Sequence, residues 1–122
     1  MILSDKYANL IKCAAVKVYV VDELSSGYTG MGYSHSDCYN YLREAYGLYV
    51  QDNVDPRYIV TEGYMLNNDT FISREDALEL VYYTGQLLPE YTNKNIDKLY
   101  SYMIDYSFLT EVSRKWEYGL MM

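Results

Sequence analysis

Arg57–Gln86 reads RYIVTEGYMLNNDTFISREDALELVYYTGQ and changes period in its middle. Tyr58, Ile59, Val60, Thr61 and Tyr64 are β-formers, so Arg57–Leu66 predicts a strand. Asn67-Asn68-Asp69 supplies residue types that tolerate left-handed dihedrals and turns the chain back. Thr70-Phe71-Ile72 is a short return strand. Ser73 then caps a helix, with Asp76 three residues on, where a capping-box partner belongs. Ala77, Leu78, Val81 and Tyr82 share one predicted helical face. Gly85 closes that helix and Pro89 prevents its resumption. The rest of the chain must cover this strand–turn–strand–helix unit.

Upstream, Lys12–Val21 (KCAAVKVYVV) alternates as a strand, with Ala14, Val16, Val18 and Val20 on one face. A polar loop leads to a second strand, Tyr28–Gly32, forming a hairpin. Its glycines weaken it or mark a close approach of another backbone or a ligand. Ser34 caps a helix with Asp37 three on; Cys38, Tyr41, Leu42 and Ala45 form its predicted apolar stripe, and Gly47 ends it. Leu48–Pro56 is a loop. Ile2–Ile11 reads either as a helical turn or as the lead-in to a strand. Downstream, Thr92 onward predicts helix: Ile96, Leu99, Tyr100, Met103 and Ile104 make a stripe that Phe108, Leu109, Val112 and Trp116 continue, with a break at Asp105–Ser107. The predicted fold is a single α+β domain over 1–122, a small antiparallel sheet with helices packed on one side, in the order β-β-α-β-β-α-α.

Composition narrows the function. The chain has 122 residues and a net charge of −7, with 17 Tyr against 2 Phe and 1 Trp. Tyrosine buries a ring while keeping a hydroxyl that needs water or a partner, which suits interfaces and ligand walls. The acidic balance argues against a nucleic acid polymer or an acidic membrane surface as partner. A small phosphorylated ligand remains compatible, since a few arginines or a helix N-terminus can hold it locally. No signal peptide or membrane span is expected, because Asp5 and Lys6 interrupt the start. Cys13 and Cys38 lack metal spacing and read as reduced core cysteines.

One histidine, His35, removes two-histidine chemistry and any multi-histidine metal site. His35 and Cys38 are spaced to approach one another at a helix start, but Cys38 belongs to the buried stripe and no third orienting group is evident. His35 therefore reads as a packing or capping residue before a ligand contact. The glycines at 27, 30 and 32 do not have the spacing of a phosphate-binding loop. Arg43, Arg57, Arg74 and Arg114 each read as surface residues, with Arg114 the best ligand candidate because Lys115 and Trp116 follow it. No enzyme, cofactor or metal is predicted.

Several segments together carry a resemblance: Lys12-Cys13-Ala14-Ala15-Val16, Gly30 through Asp37 with His35, and Glu62-Gly63-Tyr64 through Phe71-Ile72-Ser73-Arg74-Glu75-Asp76-Ala77 to Gly85-Gln86. Over roughly residues 10–90 the chain resembles a group of small phage proteins, the Thoeris anti-defence proteins of the first type. The tail agrees in length and character. The resemblance implies a sponge in the host bacterial cytoplasm, which binds a cyclic ADP-ribose-type immune signal made by TIR-domain enzymes and withholds it from its effector. Some family members also hold cyclic oligonucleotides at a separate site. It further implies a homo-oligomer, a dimer or a multiple of dimers, with signal pockets at subunit interfaces. On this chain that implies Tyr82 or Tyr83 for stacking on the base, and Asn93, Arg114 and Lys115 for phosphate or ribose, with Arg57 a further candidate. The apolar helix Ala77–Tyr83 fits burial between subunits. Two readings compete: an acidic interaction protein, such as a DNA mimic that blocks a host DNA-binding protein, and a structural oligomer without ligand. Against the mimic, the acids alternate with apolar residues and with ten basic residues instead of forming one face.

Overall fold

The alternation in the first strand decides the core. In the structure, a computed structural model that describes residues 8–21, 27–50 and 56–107, β1 (Ile11–Val20) pairs antiparallel with β2 (Tyr28–Gly32) on one side and β3 (Tyr58–Leu66) on the other. β4 (Phe71–Ser73) pairs with β3, giving the order β2-β1-β3-β4. Ala14, Val16 and Val18 are fully buried on one face and join a single core cluster with Tyr64 of β3. Helix α1 (His35–Tyr46) adds Cys38, Tyr39 and Leu42 to that cluster, and α2 (Arg74–Thr84) adds Ala77 and Val81. The predicted α+β class and the order β-β-α-β-β-α are those observed. On the opposite face Met31 and Ile59 stay exposed.

The predicted punctuation holds. Ser34 accepts from the Asp37 amide while Asp37 accepts from the Ser34 amide, a complete capping box. Ser73 caps α2 through the Asp76 amide, a one-sided cap in place of the expected capping box, and Gly47 and Gly85 close the two helices with left-handed dihedrals. Asp69 takes φ 67° in the β3–β4 turn and forms an ion pair with Lys12. Gly30 marks a close approach: a Cβ there would stand 2.5 Å from the Cys38 carbonyl oxygen. Helix α1 thus lies directly on the backbone of β2.

Three expectations need correction. In α1, Tyr39 turns inward where Tyr41 and Ala45 were expected, and those two are exposed; the Tyr39 hydroxyl finds an acceptor on β3, which fixes the helix rotation. In α2 the inward line is Arg74, Ala77 and Val81. Tyr82 sits about 100° beyond Val81 and is exposed. Finally, Thr92–Tyr106 is not a long helix: its one helical turn is the 3-10 segment Ser101–Met103. Asn93, Asn95 and Asp97 compete with helical hydrogen bonding. The backbone after α2 offers an alternative partner instead. Leu88 N–H donates to the Met103 carbonyl at 2.9 Å, Asp105 N–H donates to the Gln86 carbonyl at 2.7 Å, and Leu87 bridges Ile104. The segment becomes a strap that delivers Leu99 and Ile104 to the core. The Phe108–Trp116 part of the expected stripe lies outside the described residues.

Candidate functional site

Gly32, Ala14, Tyr64 and Ile72 form one row across the four strands. The two small members leave room at the start of α1, and His35, its first residue, reaches over them to β3. Its ring meets the Tyr64 ring edge-on, with centroids 5.1 Å apart. Its Nε2 lies 2.8 Å from the Gly63 carbonyl oxygen, and its Nδ1 lies 2.5 Å from Nη2 of Arg74. One neutral tautomer satisfies both contacts: Nε2–H donates to Gly63 and Nδ1 accepts from Arg74. Burial, together with the Arg74 charge, pushes the imidazole below its ordinary value.

Arg74 follows the Ser73 cap as the first residue of α2, where a cation opposes the helix dipole. It stays there because Glu62 faces it: Nη1 donates to Glu62 Oε1 at 2.7 Å. The Tyr39 hydroxyl donates to Glu62 Oε2, also at 2.7 Å. Burial acts to raise the Glu62 carboxyl, but the Tyr39 hydroxyl and the Arg74 charge outweigh it and hold the group below its ordinary value. Tyr39 is itself pushed up by burial and by donating to a carboxylate. Arg74 is only 8% exposed, against the surface position expected for each arginine, and its Nε has no hydrogen-bond partner among the described residues.

The strap supplies the opposite wall. The Tyr64 hydroxyl donates to the Leu99 carbonyl at 2.8 Å and fixes the strap beside β3. Tyr100 and Tyr102 stack at 15° with centroids 5.5 Å apart. The Arg74 guanidinium stands 5.3 Å, and the Lys98 ammonium 5.9 Å, from the Tyr100 ring centroid. Between these walls is an open cleft of about 440 Å3, lined by Tyr33, Ser34, His35 and Ser36 from the start of α1, by Tyr39, Glu62 and Arg74, and by Lys98–Tyr102 without Leu99. Its volume falls within the range of roughly 300–1,000 Å3 usual for small-molecule sites. Within it the Arg74 and Glu62 charges balance, and Lys98 has no carboxylate partner among the described residues. The cleft is therefore a cationic spot on an acidic protein.

The chemistry of these groups suits binding. Both nitrogens of His35 are engaged, with Gly63 and Arg74 and not with Cys38. Burial pushes the Cys38 thiol up to about 12, which leaves it protonated at neutral pH. Among the described residues no group of three or more His, Cys, Asp or Glu side chains is placed to hold a metal ion.

The candidates drawn from sequence sit elsewhere. Tyr82 and Tyr83 are exposed near the C-terminal end of α2, Tyr83 at 90%. Asn93 is exposed in the strap, and Arg57 is exposed with its guanidinium 5.5 Å from the Tyr58 ring. None of these four lines the cleft. Arg114 and Lys115 lie outside the described residues. Sequence reasoning passed over Glu62 and Arg74, although Glu62 shares the inward alternation of Val60 and Tyr64. A carboxylate at an inward strand position requires a partner, and that signal was available.

The family model for the phage T4 y16D protein matches residues 10–105. That span contains the four strands and two α-helices of the described residues and every residue lining the cleft. No curated protein and no solved structure gives a significant match. The match covers most of the chain, and the protein belongs to the phage T4 y16D protein family.

Proposed function

We propose that this phage protein sequesters a small cyclic nucleotide-type immune signal in the host bacterial cytoplasm, without converting it, and so protects the phage from a defence effector. The observation that carries the reading is the pairing, in one cleft, of stacked Tyr100 and Tyr102 with Lys98, which has no carboxylate partner among the described residues. A purine presents two π-faces to aromatic rings, and a phosphate needs a local cation on a protein whose net charge is −7. The signal is a cyclic ADP-ribose isomer of the kind made by TIR-domain enzymes. Exposed Tyr82 and Tyr83 then serve a homo-oligomeric interface and do not stack on the base.

The test mixes the pure protein with cyclic ADP-ribose isomers and, separately, with cyclic trinucleotides. Bound material is then released by heat and assayed on the effector. A cyclic ADP-ribose isomer returns unchanged and still active. Recovery of a ring-opened product, or failure to hold any of these compounds, overturns the reading.

A further inference from the structure

β4 leaves one edge of the sheet open. It stops at Ser73, opposite Gly63, and the chain turns there into α2. Tyr58–Glu62 of β3 thus has β1 on one side and no strand on the other among the described residues. Val21 N–H donates to the Arg57 carbonyl, and Leu66 N–H donates to the Thr70 carbonyl. Bonded positions recur every second residue in an antiparallel ladder, so odd-numbered residues of β3 bond to β1 and even-numbered ones face the β4 side. The N–H and C=O of Val60 therefore point away from β1, past the end of β4. Val60 lines a cavity of about 430 Å3, together with Thr61 and Glu62 from the strand and with Arg74, Glu75 and Lys98 facing them. Open edges are commonly blunted by lysine, proline, a bulge or an inward charge. Tyr58–Glu62 has no lysine or proline, and its register with β1 is regular. Its one charge, Glu62, is matched by Arg74.

We propose that this edge docks an extended segment of a partner protein, which adds to β3 as a strand in line with β4 and antiparallel to β3. Continuity with the β3–β4 ladder argues for a peptide backbone, which offers Val60 a donor and an acceptor at ladder spacing. Side chains of the added strand alternate between the two faces of the sheet. The residue opposite Val60 points to the helix side, where exposed Lys98 and Glu75 line the cavity. A glutamine or asparagine complements that pair of charges: its carbonyl accepts from the ammonium and its NH2 donates to the carboxylate. Its two neighbours point to the other face, beside exposed Ile59 and Thr61, where aliphatic side chains fit. The partner segment is thus aliphatic–carboxamide–aliphatic. Nucleotide capture in the adjoining cleft is not required for this docking.

The probe is the capped peptide Val-Gln-Val-Thr, titrated into the isotope-labelled full chain while backbone amide signals are followed by NMR. The Val60 and Tyr58 amides shift saturably, and solvent exchange at Val60 slows as the peptide binds. N-methylation of the glutamine amide removes its bond to the Val60 carbonyl and weakens binding about two- to tenfold, the scale of one hydrogen bond. Val60→Pro removes an N–H that faces the edge, spares the ladder to β1, and weakens the peptide by a similar factor. Unchanged amide signals in β1 show that this variant is folded; if it does not fold, the N-methyl comparison decides. The proposal is overturned if Val60 shows no saturable shift, or if the N-methylated peptide binds as tightly as its parent. Shifts centred on Tyr100 and Tyr102 place the peptide in the adjoining cleft and also overturn it. A Val60 amide already protected in the free protein assigns the edge to a second copy if protection grows with protein concentration, and to this chain itself if it does not; either result refutes the docking site.

Discussion

Gln86 completes the first residue of β1: its side-chain amide accepts from the Ile11 N–H at 2.8 Å and donates to the Ile11 carbonyl at 2.7 Å. Both residues are fully buried. The β1–β3 register shifts between Ile11 and Cys13, and Gln86 supplies the hydrogen bonds there that a regular partner strand would supply.

Gln86→Leu therefore leaves two buried backbone groups without partners. Each such group costs about 1–3 kcal/mol, so the variant loses about 2–6 kcal/mol in urea unfolding. Gln86→Glu is no rescue, since it keeps the acceptor, loses the donor and buries a charge. A midpoint within error of the parent for either variant would show that water substitutes at this position.

Arg74→Met removes the partner of Glu62 and one bond of His35. Breaking a buried pair costs about 3–5 kcal/mol; the Glu62 side chain keeps one-third of its surface, which places the expected loss at the lower end. The double variant Glu62→Gln, Arg74→Met recovers part of it. A double variant no more stable than Arg74→Met alone would place the cost in packing instead of in the uncompensated carboxylate.

Acid should destabilise the fold in two stages. The folded-state value of His35 is depressed, so the unfolded chain binds the proton more readily, and stability falls as pH drops below the ordinary 6.5 and levels off below the folded value. Protonation sets an Nδ1–H against the Arg74 donor, with Lys98 adding to the repulsion. Glu62 is also depressed; its stabilisation is present above about 4.5 and is lost as pH falls through its folded value. Urea midpoints measured from pH 7.5 downward should show the first decline in the parent and lack it in His35→Gln. A His35→Gln profile that retains the first decline assigns it to another group.

Ligand affinity should follow the strap tyrosines. Tyr102→Ala weakens nucleotide binding by about 1–3 kcal/mol, the scale of one base–aromatic stack, whereas Tyr83→Ala leaves intrinsic affinity unchanged. Equilibrium binding, with light scattering to monitor assembly, separates the two. The opposite pattern returns the ligand to the end of α2.

Most of the architecture was legible because local signals agreed with one another. Alternation in β1 and β3, the polar turn at Asn67–Asp69 and the two serine caps each act within a few residues. The strap was not legible: Leu99 and Ile104 fit a helical stripe, and only the backbone groups at Gln86 and Leu88, distant in sequence, favour the extended form. The cleft was partly hidden for the same reason. His35, Glu62, Arg74 and Lys98 come from four separate segments, and none forms a spacing motif with another. Glu62 alone carried a local sign, as a charge on the inward side of a strand.

One wall of the cleft is the strap, which the Tyr64–Leu99 bond and a few backbone bonds near Gln86 and Leu88 fasten to the body. The other wall belongs to the sheet and α1. Lys98–Tyr102 follow the sheet and α2 in the chain, so during synthesis this wall of the receptor is made last. In the finished protein, a local opening that detaches the strap costs less than global unfolding; it dismantles the site and uncovers the core at Leu99 and Ile104. The lifetime of a captured ligand is then governed by the fastening of about five residues, and amide exchange in that short segment will report occupancy before any global signal does.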